Sequence, residues 1–297
     1  MVRKSLLENI VSMVIYGTIS LAVKNIAVSS GEIAFWRVSI ALVALLTYKL
    51  IRREKLPLKQ AKGDLLWLGL SGIAIGGDWI LFFEAYKYTS VSVTTLSYYF
   101  CPVIVMVLSP IIFREHITAR QWLCFIMASF GLVLIIGART RGSDSELIGI
   151  ALGLAAALCY AIIILINKRI KNVSGINKTI FQFIAALLVL AVYVPFTSGF
   201  DVSGLDIKGL LCLGVLGLVH TAFAYSLYFT SIQNLTGQRV ALLGYIDPLV
   251  AVVVSVLFLK ESITLWQLVG GLMIIGFTVL NELGAPKADK ATIRINE

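Results

Sequence analysis

Residues 102–121 read PVIVMVLSPIIFREHITARQ, and residues 248–267 read PLVAVVVSVLFLKESITLWQ. Both stretches open on a proline, continue through an apolar segment, and close on a basic residue followed by glutamate, an Ile-Thr pair and a glutamine. Each matching position lies at the offset that separates Pro102 from Pro248, which is 146 residues. A run of matches at one constant offset indicates that the second part of the chain duplicates the first.

Matches outside this pair of stretches extend the repeat. Tyr16 corresponds to Tyr160 at an offset of 144, and Arg37 falls opposite Gln182 at an offset of 145. The near-constant offset predicts that the duplication covers most of the chain.

The composition of the chain assigns it to the membrane. Its 297 residues are 59% hydrophobic and 14% charged, with a mean hydropathy of +0.92, against roughly 45–50% and 25% in soluble domains. These values exclude a soluble enzyme, a disordered chain, a coiled coil and a disulfide-stapled secreted domain. Long apolar runs predict membrane-spanning helices, and we count ten, at residues 6–27, 33–50, 65–86, 90–113, 118–137, 147–167, 176–197, 207–230, 236–259 and 265–283.

The number of spans in each half determines how the halves are related. Five is an odd number, so the second half must enter the membrane in the opposite direction. The fold class expected is an all-α polytopic membrane protein whose ten transmembrane helices form two inverted five-helix repeats, at residues 1–141 and 142–283, followed by a polar cytoplasmic tail at 284–297. Inverted repeats are a transporter architecture with the substrate near the membrane midplane. A duplicated scaffold without a transport role is the alternative.

The distribution of basic residues predicts the orientation. With the N-terminus inside, 17 of the Lys and Arg residues, Lys178 included, fall toward the inner side and 6 toward the outer side, with Arg37 and Arg239 left out because they fall within or near spans. This bias predicts a protein of the cell (inner) membrane with both termini in the cytoplasm. The net charge of +9 would suggest nucleic acid in a soluble protein, but it lies in short membrane connections, so no nucleic-acid partner is expected.

The chain resembles the drug/metabolite transporter superfamily, EamA type. The resemblance rests on the ten spans, the two five-helix halves, and the proline that is followed twelve residues later by a basic residue and glutamate in the fourth and ninth spans. It covers essentially the whole chain. It implies a carrier of small metabolites, often amino acids and often exported, in which spans 1–4 and 6–9 surround a central cavity and spans 5 and 10 lie at the periphery.

Titratable side chains within the predicted spans that are candidates for a functional role are Arg37, Asp78, Glu84, His220 and Asp247. A charge at the centre of a membrane helix costs at least about 2.5–3.5 kcal/mol, so these residues are expected to line a cavity or to have partners. Arg37 and Asp78 fall about 6 and 12 Å below the outer surface, at 1.5 Å per residue. Arg37 is therefore expected to pair with Asp78 or Glu84, to extend to the interface, or to receive a substrate carboxylate with its guanidinium.

The carboxylates and the histidine are also candidates for coupling. Asp78 is expected to bind a substrate ammonium or to carry a proton, and His220 lies at a similar depth and titrates near neutral pH. The coupling candidates are Asp78, Glu84 and His220, with interhelical hydrogen bonding as the structural alternative for the histidine. Asp247 precedes Pro248, so it is expected to satisfy donors that the proline exposes or to face the cavity.

Aromatic side chains lie at depths compatible with a substrate wall. Trp36, Trp79, Tyr98 and Tyr99 are expected to surround a small organic substrate, with Gln182 lining the second half. Packing within the helix bundle, or an interfacial aromatic belt, is the alternative for each of them.

No HExxH motif, paired nucleophile or phosphate loop is present, and the four cysteines form no CxxC pair, so catalysis, a bound metal and a cofactor are not expected. The sequence predicts a secondary transporter of small metabolites that works by alternating access, most directly an amino-acid exporter. An importer or exchanger of a vitamin, nucleoside or cationic drug is the alternative, and a membrane scaffold is the non-transport one. The expected partners are a small-molecule substrate and the lipid bilayer, and the protein is expected to be a monomer or weak dimer.

Overall fold

The computed structural model describes residues 2–23, 25–85, 87–89, 94, 97–114, 117–136, 144–200, 204–259 and 265–283. Every regular element in those ranges is helical. The α-helices are α1 (Val2–Gly17), α2 (Ile19–Val23), α3 (Ser30–Ile51), α4 (Leu58–Ala61), α5 (Leu65–Ala85), α6 (Cys101–Phe113), α7 (Ala119–Ile136), α8 (Asp144–Arg169), α9 (Gly175–Thr197), α10 (Ile207–Val215), α11 (Ala224–Ser231), α12 (Gly237–Leu243), α13 (Ile246–Leu259) and α14 (Leu265–Leu283). Between α10 and α11 lies a π-helical segment, Leu216–Phe223, and short 3₁₀ turns cover Lys62–Asp64 and Ile232–Asn234.

The described helices include six that are long and apolar enough to cross a membrane. They are Val2–Val23, Ser30–Ile51, Leu58–Ala85, Leu147–Arg169, Gly175–Thr197 and Ile207–Asn234. Three shorter apolar helices, at Cys101–Phe113, Ala119–Leu134 and Leu268–Asn281, accompany them. The protein is therefore an all-helical, multi-pass membrane protein, as the sequence predicts. The count of ten spans and their inversion stay predictions.

Local sequence explains where several helices begin and end. At the start of α3, the Ser29 hydroxyl accepts a hydrogen bond from the Glu32 backbone N–H, and the Glu32 carboxylate accepts one from the Ser29 N–H. This reciprocal arrangement satisfies two donors that the first helical turn leaves unpaired. At the C-terminal end of α6, Arg114 adopts a left-handed conformation with φ 54°, which ends the helix directly after Phe113.

The helices of the two predicted halves interleave. α1 packs against α11 and α13, and α5 packs against α8. α3 packs against α9 and the π-helical segment, and α9 in turn packs against α5. α6 contacts α8 and α12, whereas α7 packs chiefly against α14. Residues that are far apart in the chain therefore meet in the centre of the bundle.

Two glycines allow helices to approach closely at equivalent places. A Cβ on Gly72 of α5 would lie 2.5 Å from the Ala185 Cβ and would collide with the Gln182 carbonyl oxygen of α9. A Cβ on Gly217 would lie 2.6 Å from the Ile40 Cβ and 3.2 Å from the Arg37 carbonyl oxygen of α3. Small residues of this kind let membrane helices pack backbone against backbone.

The outer surface is apolar and the interior is partly polar. On α9, the side chains of Leu188, Val192 and Phe196 are 65%, 63% and 86% exposed, whereas Lys178 and Gln182 are wholly buried. This distribution fits a protein surrounded by lipid, because exposed apolar groups are stable in lipid whereas polar groups find no hydrogen-bond partner there. The count of basic residues that predicts the orientation includes Lys178 as a cation of the inner side. In the structure this side chain is not at a surface, because α9 begins before it and neighbouring helices cover it.

The two ends of the bundle differ in charge. One end, named the basic end here, carries the connections at residues 52–57 and 170–174, which include four Lys or Arg residues. Asp64, in the 3₁₀ turn before α5, binds to the second of these connections by accepting hydrogen bonds from the Asn172 backbone N–H at 2.7 Å and from its side-chain amide at 3.1 Å. The opposite end, where α9 ends and α3 and α10 begin, is named the far end.

Candidate functional site

The centre of the bundle contains a cluster of tyrosines, named the tyrosine cluster here, which consists of Tyr16, Tyr98, Tyr160, Tyr225 and Tyr228. The rings of Tyr98 and Tyr160 stack with centroids 5.6 Å apart, and the Tyr160 hydroxyl donates a hydrogen bond to that of Tyr228 at 3.1 Å. The Tyr16 ring lies 5.3 Å from Tyr225 and 6.1 Å from Tyr228. Helices α1, α8 and α11 contribute four of these rings, so both halves of the chain build the cluster.

Arg37 of α3 borders the tyrosine cluster. Its guanidinium carbon lies 4.5 Å from the centroid of the Trp79 ring, and its Nε donates a hydrogen bond to the Thr221 hydroxyl at 3.0 Å. The indole of Trp79 in turn donates a hydrogen bond to the Tyr225 hydroxyl. The side chain of Arg37 is only 4% exposed. A buried guanidinium that stacks on an indole keeps its positive charge next to the cluster and stays available to an anionic group.

Asp78 of α5 borders the same cluster. One carboxylate oxygen, Oδ2, accepts a hydrogen bond from the Tyr98 hydroxyl at 3.3 Å. The other, Oδ1, is buried and has no hydrogen-bond partner among the described residues. An orphaned carboxylate oxygen is costly unless a ligand, ion or water satisfies it. Asp78 is therefore the described carboxylate that is best prepared to hold a cationic group.

Of the alternatives that the sequence leaves open for Arg37, the ion pair with Asp78 or Glu84 is not formed. Within the described part of the chain, neither Asp78 nor Glu84 lies within 4.0 Å of the guanidinium. The physical reason is that Trp79 and Thr221 occupy the contact surface of Arg37, while Tyr98 engages Asp78. Arg37 and Asp78 therefore do not form an ion pair with each other.

Glu84 lies near the far end. Its carboxylate forms an ion pair with Lys87 at 2.7 Å and accepts a hydrogen bond from the Tyr193 hydroxyl at 3.4 Å. The hydrogen bond with Glu84 raises the pKa of Lys87, which follows α5 outside the spanning helix. A cavity of about 80 Å³ separates this pair from Trp79, which lines its inner side. Glu84 thus belongs to the mouth of the molecule at the far end and not to the tyrosine cluster.

His220 and Thr221 lie in the π-helical segment. The Thr221 hydroxyl donates to the Leu216 carbonyl at 2.7 Å and accepts from Arg37, and His220 Nε2 lies 2.9 Å from the Thr18 hydroxyl oxygen. The Thr18 hydroxyl donates its hydrogen to the Ile15 carbonyl at 2.7 Å, and His220 Nδ1 lies 3.4 Å from the Val215 carbonyl oxygen. Extra residues in a π turn are frequent at functional sites, and here they direct neighbouring side chains to two different helices.

Asp247 and Tyr99 meet at the start of α13. The Tyr99 hydroxyl donates a hydrogen bond to the Asp247 carboxylate, which lies within electrostatic range of Tyr16 and Tyr225. Asp247 occupies the first turn of its helix, where a negative charge is favourable. The pair lies at the edge of the tyrosine cluster that faces α1.

Two predicted residues lie outside the cluster. Trp36 packs against Phe35 and against the small core that α3 forms with α10, and it lines an apolar groove on the outer surface. Gln182 lies on the basic-end side of the bundle, where its amide donates to Ser71 at 2.6 Å and to Asn167 at 3.1 Å. The structure therefore brings Arg37, Asp78, Trp79, Tyr98, Tyr99 and Asp247 to one region, holds His220 beside it, and places Glu84, Trp36 and Gln182 elsewhere.

Several residues of this region are absent from the sequence-based set. Thr221 and Tyr225 hold Arg37 and Trp79 in place, and Tyr228 and Tyr160 complete the cluster. The repeat offers one signal for them, because Tyr16 and Tyr160 occupy equivalent positions in the two halves.

The model of one protein family matches the chain twice, at residues 4–137 and 147–282, and its description is "EamA-like transporter family". The chain belongs to the EamA-like transporter family. It is a membrane transporter and not an enzyme.

Related proteins agree with this assignment. An "Uncharacterized transporter YxxF" of Bacillus subtilis (strain 168) is 28% identical over 91% of this chain and 86% of its own length. The "Threonine/homoserine exporter RhtA" of Escherichia coli (strain K12) is 26% identical over 78% of this chain and 76% of its own length. A crystal structure of a protein superposes on this EamA-like chain with a TM-score of 0.84 at 17% identity, covering 97% of this chain and all of the other, and thus shows the same fold.

For an EamA-like transporter, the arrangement provides the elements of a binding site for a small amphipathic solute. An aromatic wall supplies apolar contact, and a cation and a carboxylate supply two poles at its border. These are the features that orient small organic ligands in largely apolar pockets.

Proposed function

We propose that this protein exports small zwitterionic metabolites, amino acids first, by alternating access around the tyrosine cluster. In this proposal Arg37 receives the substrate carboxylate and Asp78 receives the substrate ammonium, while Trp79, Tyr98 and Tyr99 contact the apolar part. The observation that carries the proposal is that Arg37 and Asp78, two buried residues that can carry opposite charges, border one aromatic cluster and form no ion pair with each other. A ligand with both charges would satisfy both residues at once.

The inverted repeat is part of the proposal. The halves are residues 1–141 and 142–283, with 284–297 as a tail, and the family model matches within each half. The contacts between helices are reciprocal between the proposed halves, which supports a twofold relation between them. The contact of α1 with α11 corresponds to that of α8 with α5, and the contact of α3 with the π-helical segment corresponds to that of α9 with α5.

Close contacts between single residues support the same symmetry. Gly72 faces Gln182, and Gly217 faces Arg37. Gly217 follows Gly72 by 145 residues, and Gln182 follows Arg37 by 145 residues. Two interfaces related in this way can exchange their conformations, which is the basis of alternating access in inverted-repeat carriers.

The basic end defines the proposed orientation. Because Lys and Arg are concentrated in its connections, we place it in the cytoplasm, with both termini, in the inner membrane. The far end then faces outward, and export carries substrate from the basic end to the far end. We propose that the carrier acts as a monomer or weak dimer.

The class of substrate follows from the charges and from one relative. The Escherichia coli relative is named as an exporter of threonine and homoserine, both of which are small zwitterions. For coupling, Asp78, Glu84 and His220 remain the proposed residues. Asp78 has the best support, because its Oδ1 is unpartnered among described residues, whereas Lys87 holds Glu84 and Thr18 holds His220.

The proposed function is tested by counterflow in proteoliposomes. Vesicles are loaded with unlabelled amino acids, threonine and homoserine included, and uptake of the labelled solute is followed for the wild type, for Asp78→Asn and for Glu54→Gln. Glu54 is an exposed carboxylate at the basic end, so its substitution is the matched control. Exchange that Asp78→Asn loses and Glu54→Gln keeps is the expected result. Absence of exchange across the panel with folded wild-type protein would contradict an amino-acid carrier.

A further inference from the structure

A second buried cation lies on the basic-end side of the bundle, away from the tyrosine cluster. Lys178 of α9 is wholly buried, and its Nζ donates a hydrogen bond to the backbone carbonyl of Asn167 at 3.1 Å. An ammonium group carries three N–H donors. Within the described part of the chain, no carboxylate lies within 4.0 Å of this ammonium. Asp64 is the carboxylate that interacts electrostatically with Lys178, and it already accepts hydrogen bonds from Asn172.

The polar side chains next to Lys178 leave further groups unused. The Ser71 hydroxyl oxygen accepts hydrogen bonds from the Asn167 amide at 3.1 Å and from the Gln182 amide at 2.6 Å, so its own hydrogen is available as a donor. The Gln182 amide nitrogen also donates to the Asn167 Oδ1, while Gln182 Oε1 is buried and has no partner among described residues. We name Ser71, Asn167, Lys178 and Gln182 the inner polar network.

The unused groups match the two charges of an amino acid. Lys178 and Ser71 offer donors, which a carboxylate accepts, and Gln182 Oε1 offers an acceptor, which an ammonium group or hydroxyl group satisfies. Charge-assisted hydrogen bonds of this kind are shorter and stronger than neutral ones. A buried ammonium without a counterion is also the circumstance in which a transported anion is most favourable.

The position of the network relates it to Arg37. Gln182 is the repeat equivalent of Arg37 at an offset of 145, and each residue lies seven positions after the first residue of its helix, Gly175 in α9 and Ser30 in α3. At 1.5 Å per residue both are about 10 Å from the helix start. The two helices start at opposite ends of the bundle, so the polar sets lie on opposite sides of its middle.

We propose that the inner polar network is a second substrate subsite, which receives the carboxylate of an amino acid at Lys178 when the carrier opens at the basic end. The subsite rests on the proposed function, because it uses the same class of substrate. In the present conformation the Asn167 carbonyl occupies one donor of Lys178. Separation of α8 from α9 would release that donor to the arriving carboxylate. Arg37 then takes over the carboxylate deeper in the bundle.

The test is a measurement of transport from each side. Inside-out and right-side-out membrane vesicles from the same cells give the half-saturation concentration of a labelled amino acid at the basic end and at the far end. Lys178→Gln is expected to raise the value at the basic end ~10-fold, since one charge-assisted hydrogen bond is lost, and to leave the far-end value within a factor of two. Lys178→Arg should retain most of the basic-end affinity. Lys171→Gln, which alters an exposed lysine in the connection between α8 and α9, is the matched control.

Ser71→Ala is a second test of the subsite. It removes a hydroxyl donor without removing a charge, and the small alanine side chain fits the buried position. It should raise the basic-end value several-fold and leave the far end unchanged. Equal changes at both ends, or none at either end for both variants, would overturn the subsite. So would an effect of Lys178→Gln that is the same for an amino acid and for its amide, which lacks the carboxylate.

A binding measurement separates this proposal from the proposed function. In detergent, protection against thermal unfolding by threonine is compared for an Arg37→Gln, Asp78→Asn double variant with and without Lys178→Gln. Protection that disappears with Lys178→Gln supports the inner subsite even if the wild type shows no amino-acid exchange. The opposite outcome has three parts: the wild type exchanges amino acids, protection does not depend on Lys178, and the two sides of the membrane do not differ. That outcome supports the proposed function and contradicts the subsite.

Discussion

The guanidinium of Arg37 lies 4.5 Å from the ring centroid of Trp79, and not against the carboxylate of Asp78, the preceding residue of α5. Consecutive residues of a helix point about 100° apart, since 3.6 residues complete a turn. Trp79 therefore meets α3 while Asp78 turns to Tyr98. The two charges border one aromatic cluster from different directions, which is the geometry on which the proposed recognition of a zwitterion depends.

Thr221→Val should destabilise the protein through Arg37. The substitution removes the hydroxyl that accepts from Nε, so a buried guanidinium loses its hydrogen-bond partner, at a cost of about 1–3 kcal/mol. Thermal unfolding in detergent measures the loss. Thr221→Ser keeps the hydroxyl and is the control. A Thr221→Val protein as stable as the control would show that this hydrogen bond does not hold Arg37.

Gly72→Ala and Gly217→Ala should both impair packing between the halves. Each added Cβ would lie 2.6 Å or less from atoms of the facing helix, and overpacking of this kind typically costs about 1–3 kcal/mol. Gly69→Ala and Gly214→Ala are matched controls on the same spans, because a Cβ at either position meets nothing within 4 Å. The measurement is the unfolding temperature of all four variants, which should be lowered for Gly72→Ala and Gly217→Ala and unchanged for the two controls. Clearly unequal effects of the first two would argue against equivalent interfaces.

Glu84→Gln should have a small effect. Its ion pair with Lys87 is partly exposed, and such pairs typically contribute less than about 1 kcal/mol. The unfolding temperature should therefore change little, and Lys87→Gln should behave in the same way. Counterflow rates of Glu84→Gln serve as the second readout. A complete loss of transport by Glu84→Gln, with Lys87→Gln unaffected, would transfer the coupling role from Asp78 to Glu84.

Tyr98→Phe should weaken the hold on Asp78 and on the substrate wall at once. The substitution keeps the ring that stacks on Tyr160 and removes the only hydrogen bond to the Asp78 carboxylate among described residues. We expect a higher half-saturation concentration for amines and zwitterions, with protein abundance unchanged. Tyr193→Phe removes a tyrosine hydroxyl at the far-end mouth and is the comparison. Equal kinetics for both variants would contradict a role for Tyr98 at the site.

The class of fold and the principal charged residues could be predicted from the sequence. Apolar runs define membrane helices because no other backbone conformation satisfies its own polar groups in lipid. A charge in such a run is costly, so Arg37 and Asp78 stand out without any knowledge of structure. Both are buried beside the tyrosine cluster, as a role in a central site requires.

The rotation of each helix could not be predicted in the same way. Trp36 precedes Arg37 by one residue and so points about 100° away from it, toward the outer groove and not toward the cluster. Apolar residues surround both faces of these helices, so the hydrophobic pattern does not determine which face is inside. Tyr225 and Tyr228 were missed for this reason, because a tyrosine in an apolar run has the same signal whether it packs or lines a site.

Two further differences between the sequence-based expectations and the structure concern single segments. The π-helical segment changes the helical register within the eighth predicted span, where Thr221 contacts Arg37 of α3 and His220 contacts Thr18, between α1 and α2. The burial of Lys178 could not be predicted, because a lysine near the start of a predicted span usually reaches the membrane surface. It depends on the contact of α9 with α5, which joins residues more than a hundred positions apart in the chain, and on the hydrogen bond to Asn167 of α8.

The central claim, that Arg37 and Asp78 hold opposite poles of one substrate, is tested most directly by matched analogues. Inhibition of labelled threonine counterflow is measured with threonine, with its amide and with its deaminated hydroxy acid, for the wild type, Arg37→Gln and Asp78→Asn. We predict that Arg37→Gln weakens inhibition by threonine and the hydroxy acid ~10-fold or more and leaves the amide unchanged, since only the first two offer a carboxylate. Asp78→Asn should weaken threonine and the amide and leave the hydroxy acid unchanged. Equal losses for all three compounds in either variant would contradict the assignment of the two poles.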